Sequence, residues 1–211
     1  KQALDVILAG KMLIVFYDEN RKNECYLFLP ADRVTPEAIN FMSKYGRGLI
    51  CLPMSGEIAD RLNLPMMVEE NKAKFLTPFT VSIGAAKEIT SVISTHDRAN
   101  TIKTAVDPQA KPADIVTPGH VFPLRAKNGG VLSRQGHTEA SVDLSRLAGF
   151  SAAGVICEIM SEDGSMARLP ELQRFAKLHH LNIVSIHDLI AYRVKHDNHI
   201  QEVAAAQLPR N

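Results

Sequence analysis

No charge excess of either sign, no long apolar run and no paired-cysteine motif marks this sequence, and each absence closes a class of function. Its 24 Lys and Arg against 23 Asp and Glu leave a formal net charge of +1, too little for the broad basic field that nucleic acid or a membrane surface recruits. No stretch reaches the roughly 18 unbroken apolar residues that a membrane span requires, and the amino terminus lacks the pattern of a signal peptide. A cytoplasmic protein with neither nucleic-acid nor membrane partners is therefore expected. Cys25, Cys51 and Cys157 show no C-x-x-C spacing, and two of them sit in apolar runs. That suits reduced thiols better than a disulfide frame or a zinc site. There is no internal repeat and no low-complexity tract. The sequence opens on Lys1 rather than methionine, which suggests a piece of a longer protein.

What is present is enough apolar residue, 45% of 211, to bury a sizeable core, and a single domain is expected. Apolar runs alternate with amphipathic stretches. KMLIVFYD, GLICLPM, FTVSIG, HVFPLRA, AGVICEIM and NIVSIHD read as strands, whereas TPEAINFMSKYG, SGEIADRLNL, HDRANTIKTAV, TEASVDLSRLAG, ELQRFAKLHHL and LIAYRVKH read as helices. Thr35 and Pro36 open the first of these helices, and Asp163-Gly164 between VICEIM and SMAR is a hairpin signal. The rhythm predicts an α/β (α+β) layered domain over residues 1–200, with 201–211 as a tail or linker.

Four places could carry chemistry. Glu158 interrupts the apolar run GVICEIM; a carboxylate there must be paired, protonated or at a wet edge, as either a strand-edge acid or an active-site acid with a perturbed pKa. In GGVLSRQGHTEASVDL, Arg134, Gly136, His137 and Thr138 stand at the start of a helix that Thr138 or a neighbour could cap. Free N–H groups, a glycine and an arginine there can bind phosphate, although many helices begin this way. His120 in PGHVFPLRA is either a structural histidine or a catalyst. YDENRKNECYLFLP packs Arg21, Lys22 and Glu24 between two apolar segments, and on composition alone it is a solvated hairpin loop.

Together these segments carry a resemblance. DENRKNECYLFLPAD, LNLPMMVEEN, TPFTVSI, STHDRANTI, PGHVFPLRAKNGGVLSRQGHTEASVDLSRLAGFSAAGVICEIMSEDGSMAR and FAKLHHLNIVSIHDLIAYR, in this order, resemble the 3,4-dihydroxy-2-butanone 4-phosphate synthase family over nearly the whole chain. The resemblance implies a homodimer of three-layer domains, each a mixed central sheet with helices packed on it, and active sites at or near the dimer interface. It implies conversion of D-ribulose 5-phosphate to L-3,4-dihydroxy-2-butanone 4-phosphate and formate, with Mg²⁺ as cofactor and Mn²⁺ as an alternative. By resemblance, Arg134, His137 and Thr138 bind the phosphate end and the metal, with His137 as metal ligand. His120 and Glu158 transfer protons, Arg21 and Glu24 line the substrate, and Cys51 matches a family cysteine near the pocket. VAAAQLPRN resembles the junction in bifunctional proteins where a GTP cyclohydrolase II domain follows.

The chain departs from the family pattern D-R-E-x-E-G-D, reading Asn20-Arg21-Lys22-Asn23-Glu24-Cys25-Tyr26. Lys22 falls on a metal-ligand glutamate, and Cys25-Tyr26 on the closing Gly-Asp. An ammonium offers magnesium no acceptor; about 4 Å from a dication, at an effective dielectric near 20, it is repelled by about 8 kcal/mol before screening. Arg47 stands in place of a small serine between glycines, Ser91-Val92 in place of Thr-Gly, and Gln135 in place of a glycine. Two functional readings follow: an active synthase in which Lys22 has a substitute role, or a weakened or silent domain that supports a fused partner. A changed reaction on another sugar phosphate is a third.

Overall fold

The computed structural model describes residues 2–17 and 25–197. Seven strands form one mixed sheet: β1 Leu13–Phe16, β2 Cys25–Pro30, β3 Cys51–Met54, β4 Ile83–Ala85, β5 Ile115–Arg125, β6 Gly154–Glu158 and β7 Asn182–Ser185, in the order β4-β5-β3-β6-β2-β1-β7. The pairs β1–β7 and β3–β5 are parallel and the others antiparallel. Among the described residues, seven α-helices accompany it: α1 Gln2–Leu8, α2 Pro36–Phe41, α3 Gly56–Arg61, α4 Thr95–Val106, α5 His137–Leu147, α6 Leu169–His179 and α7 Ile186–His196. None of the described helices is long and apolar enough to cross a membrane.

The central strands are apolar on both faces because both faces are covered. Ile14, Leu27, Leu29, Leu52, Val155 and Cys157 pack with Ile39, Ile58, Ile102 and Leu172 from α2, α3, α4 and α6. Their neighbours Leu13, Val15, Phe28, Cys51 and Ile156 pack on the opposite side with Ile7, Leu144 and Leu189 from α1, α5 and α7. The alternation of partners along each strand is the period of two, and it makes the expected three layers. All three cysteines are buried and none forms a disulfide.

Local sequence explains most boundaries. Thr35 accepts from the Ala38 N–H (3.1 Å) with Pro36 at the first helical position, as expected. The Asp163-Gly164 hairpin also forms: Gly164 has φ +85, and Ser161 N–H donates to Ser165 O at 2.7 Å. Elsewhere the structure differs. Residues 79–84 do not form one strand, because the β4–β5 register shifts at Ile83/Gly84 and leaves Phe79 and Thr80 in isolated bridges. The expected strand end at Ile186-His187-Asp188 is instead the first turn of α7, where the Ser185 hydroxyl accepts from the Asp188 N–H (3.0 Å). Thr138 does not cap α5; Gly136 holds that position and Thr138 is buried inside the helix. The helix α1 carried no signal that the pattern reading used. Residues 198–211, and with them the tail and linker, lie outside the described residues.

Before α4 the chain turns through Thr90, Ser91 and Val92 around the buried Asp97. Its carboxylate accepts from the Ser91 N–H (2.7 Å) and the Thr90 N–H (3.1 Å), and these bonds hold its pKa well below the usual carboxylate range. Val92 sits at φ +64, where a β-branched side chain is strained. Replacing it with glycine removes strain of about 1–3 kcal/mol, partly offset by the freer unfolded chain. Val92→Gly is therefore expected to raise the unfolding free energy by about 1 kcal/mol, measured by urea denaturation; an equal or lower value would show that the turn is unstrained.

Candidate active site

A cavity of about 750 Å³ opens where the carboxyl end of β6, the amino end of β2 and the start of α5 meet. Its lining includes Tyr17, Tyr26, Cys51, Phe75, Arg134, Gln135, His137, Thr138 and Glu158. The β2–β6 register sets Tyr26 directly opposite Glu158, so the residue ending the apolar run of β6 emerges at the rim. Glu158 Oε2 accepts from the Leu49 N–H at 2.8 Å. Gly48 beside it has no room for a Cβ, which would strike the Glu158 side chain and backbone nitrogen. Arg47, in the left-handed region at φ +68, turns its guanidinium onto the carbonyls of Met160 and Ser161. The 47–49 turn thus fixes the acid's position from behind.

The opposite wall is the segment leading into α5. Arg134 is one-third exposed and donates from Nη1 to the fully buried Glu139 Oε2 at 2.7 Å. A Cβ at Gly136 would collide with both partners, so the glycine that opens the helix also makes room for the ion pair. His137 is nearly buried, and the Tyr26 ring lies on its imidazole at 4.1 Å between centroids. Tyr17 donates its hydroxyl to Gln135 Oε1 (3.0 Å). Cys51, 3% exposed, contributes its sulfur to the floor; burial, and then the carboxylate of Glu158, push its thiol pKa far up. Burial likewise pushes the Cys157 thiol up to about 12.

The structure therefore brings together Cys51, Arg134, His137, Thr138 and Glu158 from the sequence-predicted set. His120 is not with them: it is exposed on β5 and absent from the lining. A histidine on the face of an edge-proximal strand points where that strand's pleat sends it, which spacing alone did not reveal. Arg21, Lys22 and Glu24 lie outside the described residues, between Tyr17 and Tyr26, which both line the cavity. Tyr17, Phe75, Thr77 and Met166 were not anticipated; they arrive from distant segments and carry no local signal. Among the described residues no group of three His, Cys, Asp or Glu side chains converges as a metal site.

Comparison with known proteins matches this arrangement. The family described as 3,4-dihydroxy-2-butanone 4-phosphate synthase matches residues 1–192. The chain is 56% identical over 200 residues to a Neisseria meningitidis 3,4-dihydroxy-2-butanone 4-phosphate synthase, covering 95% of this chain and 55% of that protein. It is 55% identical over 211 residues to the riboflavin biosynthesis protein RibBA of Aquifex aeolicus, covering 99% and 52%. The crystal structure of RibBX, a two-domain 3,4-dihydroxy-2-butanone 4-phosphate synthase from A. baumannii, superposes with a TM-score of 0.90 at 50% identity, over 93% of this chain and 58% of that one. A synthase structure in complex with two magnesium ions superposes with a TM-score of 0.88 at 38% identity, over 93% and 96%. This chain spans about half the length of the curated relatives it matches.

The raised thiol pKa has a direct readout. Cys51 is expected to resist iodoacetamide at pH 8 in the folded protein, and to react when urea unfolds it, because only the thiolate is nucleophilic. Mass spectrometry of its peptide reports this; rapid alkylation in the native state would mean that the floor of the cavity is open and the thiol ordinary.

Proposed function

This chain belongs to the 3,4-dihydroxy-2-butanone 4-phosphate synthase family, and from that premise we propose that it converts D-ribulose 5-phosphate to L-3,4-dihydroxy-2-butanone 4-phosphate and formate. The observation that carries the reading is convergence: an arginine at a helix start and a carboxylate at the end of β6 face one cavity. Arg134 and the N–H groups of the first turn of α5 hold the phosphate. Glu158, oriented by the Leu49 N–H, takes and returns protons as the ketone enolises, loses water, rearranges, takes one water back and expels one carbon as formate. The two products contain every atom of the substrate, so no co-reactant enters. Cys51, held as a neutral thiol, contributes shape rather than nucleophilic attack.

His120 supports a homodimer within this reading. It lies on the exposed face of β5 near Val116, and Met66, Met67, Val68 and Leu76 leave further apolar surface exposed. Such a surface suits association with a second copy, which can deliver a histidine to a neighbouring cavity. The greater length of the relatives supports a further, fused domain, and the resemblance of VAAAQLPRN to a bifunctional junction points to the GTP cyclohydrolase II type. A cytoplasmic location accords with this chemistry.

Among the described residues, the cavity offers magnesium few ligands. The described cavity residues supply one carboxylate, Glu158, and one imidazole, His137, with the Tyr26 ring packed against it at a 43° tilt. A hard dication needs several oxygen ligands in addition, and the position at which the resemblance places an acidic ligand is Lys22. We infer weakened metal binding and route no step through an ion. A weakened or silent domain supporting its fused partner is the second reading, and it rests on Lys22 and Tyr26 standing where the resemblance places acidic residues.

Formate release from D-ribulose 5-phosphate, with and without Mg²⁺, tests both readings beside a Lys22→Glu/Cys25→Gly/Tyr26→Asp variant. Turnover by the unaltered chain supports the synthase; turnover by the variant alone supports the silent domain. Where turnover is seen, Gly48→Ala is expected to lower kcat about 100-fold or more by displacing Glu158, the range typical of a lost general base. A loss under threefold would remove Glu158 from the proton-transfer role.

A further inference from the structure

Two buried carboxylates one turn apart on α5 hold the loop that presents Arg134. Glu139, 0% exposed, accepts from the Lys127 N–H (3.0 Å) as well as from Arg134 Nη1. Four residues later Asp143, 4% exposed, accepts from the Val131 N–H (2.8 Å) and from Arg193 Nη1 on α7 (2.8 Å). The same Arg193 nitrogen reaches Gly129 O at 2.8 Å, while its Nε donates to Asp197 Oδ2 at 2.9 Å. Gly129 and Gly130 have φ +90 and +63, and a Cβ at Gly130 would collide with the Asp143 carboxylate. Loop 127–134 is therefore pinned at its beginning, middle and end by charged groups of two helices.

Glycines in such a turn allow many conformations, so something must select one. Asp143 and Arg193 are absent from the lining of the cavity, yet Arg193 is only 13% exposed and its fork engages three acceptors. A planar guanidinium serves this geometry and a point charge does not. The Arg134 N–H donates to Gly130 O (3.0 Å) and the Gly136 N–H to Arg134 O (2.8 Å), so the pinned turn leads directly into the phosphate-facing segment.

We propose that Asp143 and Arg193 are positioning residues that fix the Arg134 loop for an anionic ligand, which makes α7 part of the binding machinery from outside the cavity. The proposal rests on reading the cavity as a phosphate-ester site. Preorganising a loop raises affinity by removing the ordering that binding would otherwise demand; loosening it weakens binding, whereas chemistry on bound substrate continues.

Arg193→Lys tests this while leaving Asp143 a buried counter-charge. A second variant, Asp143→Asn/Arg193→Met, removes both charges together and avoids an unpaired buried ion. Arg146→Gln is the control, since Arg146 is an exposed residue of α5 in a 3.8 Å pair with Glu57. Amide hydrogen exchange at Val131, Arg134 and Gly136, and the KM and kcat for D-ribulose 5-phosphate, are measured for each. In both test variants the three amides are expected to exchange at least about tenfold faster, and KM to rise about tenfold with kcat held within about threefold; the control changes neither. Unchanged exchange overturns the proposal, as does faster exchange with unchanged KM. If the unaltered chain neither binds nor turns over ribulose 5-phosphate, the substrate reading fails separately. The dissociation constant of inorganic phosphate, from titration calorimetry, then replaces KM: about tenfold weakening supports positioning, and no weakening or no phosphate binding overturns it.

Discussion

From Tyr26 opposite Glu158 to Pro30 opposite Gly154, β2 and β6 pair in a single antiparallel register, and that register decides nearly everything else. Because side chains alternate, it sends Leu27, Leu29, Val155 and Cys157 to one core and Phe28 and Ile156 to the other. A slip by one residue would exchange the two sets and turn every buried face toward the wrong helices. Gly154 adds a steric lock, since a Cβ there would meet the Phe28 ring. The same ladder ends by setting a carboxylate and a phenol side by side at the cavity rim. The scaffold and the site are consequences of one alignment.

Much of the layered fold was legible because its signals are local and periodic. The apolar runs around Ile14, Leu52 and Ile156 announce strands buried on both faces, and Thr35-Pro36 announces a helix start in the same way. What escaped depends on contacts far along the chain. No property of FTVSIG shows that β5 shifts register beside Gly84, and nothing in TEASVDL shows that Gly136 rather than Thr138 takes the cap. Of the site, the resemblance supplied Cys51, Arg134, His137, Thr138 and Glu158, which the fold gathers. It could not supply Tyr17 or Phe75, which meet the others only through tertiary structure, and it did not anticipate that His120 stands apart in a single chain. Glu139 and Asp143 read as ordinary helix acids on an amphipathic stretch; only their burial shows them as anchors.

The departures from the family pattern are physically connected rather than scattered. Gln135 is the acceptor for Tyr17, Tyr26 covers the imidazole of His137, and Arg47 uses its left-handed turn to bind the carbonyls that follow β6. Each of these three side chains has a partner in this structure. Val92 is the exception: nothing in the structure explains a branched side chain at that turn.

One pairing in the sheet concerns how the chain is made. β1 lies parallel to β7, with Leu13 beside Asn182 and Phe16 beside Ser185, so the first strand of this sheet waits for a partner made much later in the same domain. Until β7 emerges, an edge of β1 lacks its neighbour and the face that receives α7 is bare. Such long-range closure is slow relative to local contacts and exposes strand edges meanwhile. The hydrophobic side chains of Leu13 and Val15 therefore wait for part of their cover during synthesis, and a chaperone that shields nascent strands would find its ligand in β1.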